Sequence, residues 1–274
     1  MSLRINLNTA ALNAHRQLQS TDNALASSIE KLSSGFRINR AADDPAGLAI
    51  SENLRAQVAG LGQAISNSSD AVNLIKTAEG ALAEVHNLLR TMRNLALHAN
   101  NDTSDVTAKA ADQAQITSAL AALDRIATNT QFGTIVLLNG DGLGAPLSLN
   151  FQIGANSGQT TSVSIDAVDS TALGIDLIDV TTGADAAITL IDTAVGTVST
   201  MRASLGATQQ DLQSNISSLS VAKENIAASE SSIRDADMAA EMVSFTRNQI
   251  LLQAGIAMLT QANAAPQALL GLLQ

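Results

Sequence analysis

Residues 43–99 read DDPAGLAISENLRAQVAGLGQAISNSSDAVNLIKTAEGALAEVHNLLRTMRNLALHA, and the fold turns on that stretch. Asp44 followed by Pro45 is a helix start. A carboxylate at the N-cap accepts a free backbone N–H, and proline at the first helical position lacks only an N–H that would go unpaired. Leu61, Ile65, Val72, Ile75, Leu82, Val85, Leu89, Met92 and Ala96 then recur in alternating steps of three and four, with Ser68 and Ala78 filling the gaps. A pattern of roughly 55 residues without a strong breaker exceeds an ordinary globular helix. So long an outgoing helix needs a long returning partner.

That partner reads from about Asp185. Leu205, Leu212, Leu219, Ile226 and Ile233 keep a strict heptad, Ile216 lies in the opposite seam, and Lys223 and Glu230 interrupt it. A seven-residue period held this long imposes supercoiling on a pair of helices. Both chain ends repeat the device. Leu18, Leu25 and Leu32, with Ile29, mark a helix from Leu3 to about Phe36 that Ser34-Gly35 interrupts. Met238, Phe245, Leu252 and Leu259, with Met242 and Ile256, mark another that Pro266 is expected to end. A cap-rich turn at residues 100–105 precedes a shorter helix carrying Ile116, Leu120, Leu123 and Ile126.

The middle changes character. Thr134–Leu138 is β-like, Asn139-Gly140 is a hairpin-turn pair, and Leu147, Leu149, Phe151 and Ile153 alternate with polar residues. After a turn at Gly154–Gly158, Val163, Ile165 and Ala167 alternate in the same way, and an irregular stretch follows to about Gly183. The expected fold is mainly α, a long antiparallel helical hairpin or coiled-coil rod with a small β-hairpin region in mid-chain. Residues 1–44 and 235–274 form a terminal coiled coil, 45–133 and 184–234 a helical rod, and 134–183 the β region.

Composition narrows the function. Hydrophobic residues make up 46% but aromatics only 1% of the 274 residues, with no Trp or Tyr. Enzyme pockets and recognition surfaces lean on aromatics, whereas thin helix-on-helix packing does not. A net charge of −10 with 15 scattered Lys and Arg argues against nucleic acid. Absence of cysteine removes disulfides and thiolate metal sites. No apolar run reaches signal-peptide or membrane-span length, so neither a cleaved leader nor membrane insertion is expected.

Sharper readings lose to plainer ones. Gly140-Asp141-Gly142-Leu143-Gly144-Ala145 mimics a dinucleotide fingerprint, but Pro146 and an alternating strand follow where a helix is required. His15, His86 and His98 are too scattered to share a metal, and no catalytic triad or cofactor site is legible. Asp235 and Asp237 do not share a helix face, so with Arg234 they read as caps or intersubunit bridges. Asp43 and Asp44 beside Arg37 and Arg40 read as a helix cap with intersubunit salt bridges, or as a solvated charge run. Ser157–Ser164 reads as plain β-surface rather than a glycan attachment stretch. Residues 3–36 and 238–264 carry seams with little else local to bury them, so both ends are expected to stay loose until copies associate.

At Leu32–Ile50 (LSSGFRINRAADDPAGLAI), Gln63–Asn67 and Glu79–Glu84 the chain resembles the bacterial flagellins. The resemblance resumes at Ser232–Met242 (SIRDADMAAEM), Asn248–Gly255 (NQILLQAG), Ala262-Asn263 and Pro266-Gln267, and spans about residues 1–133 and 185–274. It implies a structural, non-enzymatic subunit that polymerises into the extracellular flagellar filament for swimming. Export would run unfolded through the flagellar type III apparatus, with assembly at the filament tip. The implied partners are other copies of the chain, hook-associated and cap proteins, and an export chaperone on the C-terminal helix.

The subunit interface is expected at Leu18, Leu25, Leu32, Arg37, Asp43, Asp44, Arg234, Asp235, Phe245, Leu252 and Leu259. Many flagellins carry an Arg-x-Arg-Glu-Leu stretch read by an animal Toll-like receptor. Here Thr91-Met92-Arg93-Asn94-Leu95 matches it without the Glu, and Arg90 sits one place early, which implies weakened recognition. A hook–filament junction protein shares the N-terminal style, but the close C-terminal match favours flagellin. A signalling coiled coil would need a membrane span or sensor domain.

Overall fold

The computed structural model describes residues 8–140 and 145–272, with 265–272 by backbone alone. Among these the order is α1 (Thr9–Ser34), α2 (Pro45–Ala99), α3 (Val106–Asn129), β1 (Gln131–Phe132), β2 (Ile135–Val136), β3 (Leu147–Gln152), β4 (Thr160–Ile165), α4 (Ala184–Arg234) and α5 (Met238–Leu272). The chain is mainly helical with a small β region, as the heptads and the alternation require. It divides into two compact units, one of residues up to Ala56 and from Asn225 on, the other Gln57–Glu224.

In the unit Gln57–Glu224 the buried stripe of α2 runs Leu61, Ala64, Ser68, Ala71, Ile75, Ala78, Leu82, Val85, Leu89, Met92, Ala96 and Ala99. The expected Ile65 is only half-buried, because the three-and-four step falls on Ala64 instead. Ser68 is tolerated in the stripe because its hydroxyl donates to the Ala64 carbonyl at 2.8 Å. Helix α4 answers with Ala187, Ile191, Ala194, Val198, Met201, Leu205 and Leu212.

Cross-ties show that the two helices run antiparallel. Arg93 reaches Asp192 (Nε–Oδ1 2.5 Å), Arg202 reaches Glu79 at 3.7 Å, and Asn100 donates to Asp185 at 2.8 Å. The Arg93 hydrogen bond holds the Asp192 carboxyl below its ordinary range. Helix α3, capped by Asp105 through the Ala108 amide, adds Ile116, Leu123 and Ala127 to this core. Its Asp112 carboxylate is nearly buried and lies 2.7 Å from His98 Nδ1 at the end of α2.

The β region departs from expectation. Residues 134–138 do not pair with 147–153 across Asn139-Gly140. Instead β1 and β2 close on each other through Gly133, which takes φ 64°. Leu137 and Leu138 follow β2 and are fully buried; Leu137 N donates to Thr130 O and Leu138 O accepts from Val168 N, each at 2.9 Å. The six-residue strands β3 and β4 pair antiparallel, Leu149 opposite Val163 and Leu147 opposite Ile165. The stretch before Gly183 has no ladder, yet Val168, Leu173, Ile175, Ile178 and Val180 are all buried. Two α3 side chains supply the missing backbone partners. Gln113 donates to Ile178 O and accepts from Val180 N, each at 2.9 Å, and Asp124 accepts from Ser170 N at 2.8 Å.

In the other unit α1 packs against α5. Helix α5 continues to Leu272 rather than ending at Pro266. Proline has no N–H, so the carbonyl four residues earlier, Ala262 O, loses its intrahelical donor. Asn8 Nδ2 takes that role at 2.8 Å.

Candidate assembly surface

Helix α1 turns its small residues toward α5. Thr21 and Ser28 are buried and Ala14, Leu18, Leu25 and Leu32 half-buried, at alternating steps of four and three or their sums. Ile29, expected in this stripe, is 50% exposed. On α5, Phe245, Leu252, Gly255 and Leu259 are the half-buried counterparts. Gly255 sits so close to Leu18 that a Cβ there would lie 3.1 Å from Leu18 Cδ1. Carried along two antiparallel helices, that register sets Leu252 opposite Thr21 and Phe245 opposite Ser28. Large meets small, which lets the backbones approach closely. The six seam residues expected to bind other subunits therefore lie first along a seam within the chain.

That seam uses one side of α5 only. Helix α5 is apolar nearly all round, a composition suited to complete burial. Yet Met242 is 50% exposed, Val243 70%, Ile250 60%, Leu251 49%, Ile256 50% and Met258 65%. Met242, Val243, Ile250 and Leu251, with Thr246 and Arg247, line an apolar groove of about 490 Å³. A second groove of similar volume lies between α1 and α5, and Leu251 borders both. Among the described residues this apolar strip along α5 is a feature that asks for a partner.

The charged residues expected at subunit contacts have work inside the chain. Asp44 Oδ1 caps α2 by accepting from Gly47 N at 2.9 Å. The Asp43 carboxylate accepts from Arg40 N (2.9 Å) and Asn39 N (3.1 Å), which holds it below its ordinary pKa. The α1–α2 and α4–α5 connectors are stapled by an antiparallel bridge, Phe36 with Asp235. Arg37 N donates to Arg234 O at 2.7 Å and Ala236 N to Gly35 O at 2.9 Å. The Arg37 side chain donates to Ile233 O at 2.5 Å. The Arg234 guanidinium lies over the Phe36 ring, 4.9 Å from its centroid, and pairs with Glu52 at 2.5 Å. Asp237, not Asp235, caps α5 through Ala239 N, while Asp235 accepts from Ser231 Oγ. Sequence reasoning missed Glu52 and Ser231, since nothing in spacing brings them to this staple.

In the receptor-like stretch, Arg90, Thr91 and Asn94 are exposed, Leu95 is half-buried, and Arg93 is occupied by Asp192. Residues 141–144 of the fingerprint mimic lie outside the described residues. Strand β3 begins at Leu147, where a nucleotide site would need a helix. Among the described residues no three His, Cys, Asp or Glu are placed to share a metal ion, and no helix is long and apolar enough to cross a membrane.

Comparison with known proteins agrees with this arrangement of helices at both ends and β structure between. Residues 5–142 match the bacterial flagellin N-terminal helical region, and residues 188–273 the bacterial flagellin C-terminal helical region. The chain belongs to the bacterial flagellin family. It is 47% identical to flagellin of Halalkalibacterium halodurans over 98% of this chain and 99% of that one. It is 44% identical to flagellin of Bacillus subtilis over 99% of this chain and 100% of that one. The crystal structure of Bacillus cereus flagellin superposes with a TM-score of 0.50 at 25% identity, covering 56% of this chain and 88% of that one. A flagellar hook-associated protein of Vibrio parahaemolyticus shares the fold at 15% identity, with a TM-score of 0.60 over 70% of this chain and all of that one. Flagellins are structural subunits that self-polymerise into the extracellular filament, and the chain is such a subunit, not an enzyme.

Proposed function

We propose that the chain is exported unfolded through the flagellar type III apparatus, adds at the filament tip, and serves swimming motility. In this proposal residues 1–44 and 235–274 form the polymer core, and 45–133 with 184–234 a rod carrying the β region 134–183. The carrying observation is the apolar strip of α5, which one chain leaves in water. Neighbouring copies cover it, against Leu18, Leu25, Leu32, Phe245, Leu252 and Leu259 where the seam leaves these half-exposed. Before assembly an export chaperone covers the same strip, and hook-associated and cap proteins meet it at the filament ends. Arg37, Asp43, Asp44, Arg234 and Asp235 hold the connectors in the shape that adjoining copies meet.

Charge, counted over the two compact units, supports a similar division. Residues 57–224 hold seven Lys and Arg against sixteen Asp and Glu, a net of −9; the remainder holds eight against nine, a net of −1. Close packing of many copies suits the nearly neutral portion, and salt should promote growth by screening the acidic one. The lack of cysteine leaves no disulfide to obstruct unfolded passage. With Arg93 held by Asp192 and no Glu in the stretch Arg90–Leu95, recognition by the flagellin-sensing receptor is weak.

The test is seeded polymerisation, followed by electron microscopy, of the full chain beside one lacking residues 240–274. Long filaments from the first only are expected. Absence of filaments from both, with seeds and salting-out conditions present, would reject a polymer core built from the chain ends. Reporter cells responding as strongly as to a flagellin with the full receptor motif would reject the weakened recognition.

A further inference from the structure

Asn8 uses both ends of its amide. Its Oδ1 accepts from Ala11 N at 3.1 Å and so caps α1, while its Nδ2 donates to Ala262 O at 2.8 Å, 254 residues away. Ala262 O is not an arbitrary acceptor. It is the carbonyl that Pro266 deprives of a donor, and α5 nevertheless continues for six residues beyond that proline, to Leu272. A helix interior interrupted in this way persists where another group satisfies the freed carbonyl.

We propose that Asn8 is a positioning residue that replaces the N–H missing at Pro266, so that the start of α1 and the last turns of α5 become ordered together and in one register. The geometry gives this coupling two sides. Without α1 docked, Ala262 O has no side-chain donor, and α5 is free to fray from that point. Without α5 helical at Ala262, the Asn8 amide keeps its cap but loses its second bond. A seam of apolar residues can slip by a turn, because one leucine resembles the next. A single side-chain donor matched to a single orphan carbonyl cannot, and this fixes which heptad of α1 faces which heptad of α5.

The experiment is a double-mutant cycle on the full chain: wild type, Asn8→Asp, Pro266→Ala, and both together. Aspartate keeps the capping oxygen but puts a charged acceptor where the donor was, so Asn8→Ser, which keeps a capping oxygen and is too short to reach Ala262 O, is run beside it as the uncharged control; alanine at 266 restores the backbone N–H. The readout is amide exchange of residues 263–272, measured in seeded filaments and in the dilute chain. Asn8→Asp is expected to speed exchange there about 3- to 10-fold, the size of one lost hydrogen bond. It should leave the first turn of α1 protected and have no effect on residues 263–272 in the Pro266→Ala background. An equal effect in both backgrounds, or none in the wild-type background, overturns the proposal. A wild-type chain that grows no filaments would count against the polymer reading alone, and the cycle on the dilute chain then decides this one.

Discussion

The apolar strip of α5 yields a quantitative prediction. Ile250 keeps 60% of its surface in water and Leu251 49%. Fully burying either side chain stabilises by about 1.5–3 kcal/mol. If neighbouring copies complete the burial, the half or more still exposed contributes about 1–2 kcal/mol per residue on assembly. Since about 1.4 kcal/mol is a factor of ten, truncating one side chain should raise the critical concentration for growth on wild-type seeds roughly 5- to 30-fold. Truncating both should abolish growth at ordinary concentrations. In the single chain the same truncations remove little buried contact, so the thermal unfolding of residues 57–224 should not move. Leu82→Ala supplies the reciprocal control. Leu82 is fully buried in that unit, and its truncation should cost about 2–5 kcal/mol of folding stability. The assay is sedimentation of polymer against free chain across a concentration series, beside calorimetry of each variant. A critical concentration within twofold of wild type for Ile250→Ala/Leu251→Ala would refute the reasoning, because the strip would then stay in water in the polymer.

Three further outcomes are expected. Asp44→Ala removes the cap on Gly47 N and should destabilise the start of α2 by about 0.5–2 kcal/mol, read as faster amide exchange over residues 46–49, with Asp44→Asn largely restoring it. Asp43 has a folded pKa below its ordinary 3.8, so its contribution is present above that value and is lost as pH falls through the lower folded one. The Asn39 and Arg40 amides should open in that acid window and not near neutrality, and Asp43→Asn should remove the transition; a titration centred at or above 3.8 would contradict this. His98→Ala leaves the nearly buried Asp112 carboxylate without its partner and should cost about 1–3 kcal/mol by thermal denaturation, whereas a shift below 0.5 kcal/mol would show that water replaces the imidazole.

What the sequence disclosed depended on side-chain size. The α2 stripe was legible because large aliphatic residues mark its period, and Asp44-Pro45 and Asp105 marked their helix starts by chemistry. The inner positions of α1 were not, since Thr21, Ser28 and Ala14 carry little hydropathy, and Ile29 stood out although it faces solvent. Residues 168–183 looked irregular because backbone partners there come from Gln113 and Asp124, some 46 to 67 residues away. The strand β1 is too short to show alternation. Pro266 was expected to stop α5, and the donor that meets the carbonyl it frees, Asn8, lies 254 residues away. For the assembly surface the heptads marked residues that pack along a seam, but spacing could not say which partner they face. The structure gives those leucines a first partner within the chain and leaves α5 the apolar remainder.

The uneven charge of the two units has a mechanical consequence. A polymer of this chain repeats ten net negative charges with every copy, nine of them from residues 57–224. It is therefore a polyelectrolyte that gathers a sheath of counterions, as any densely charged rod does. Monovalent salt thins that sheath and lets polymers lie closer, while divalent cations can bridge one polymer to the next. Filaments of this chain should repel one another in dilute buffer and bundle as magnesium or calcium is added, with no change in the subunit's fold.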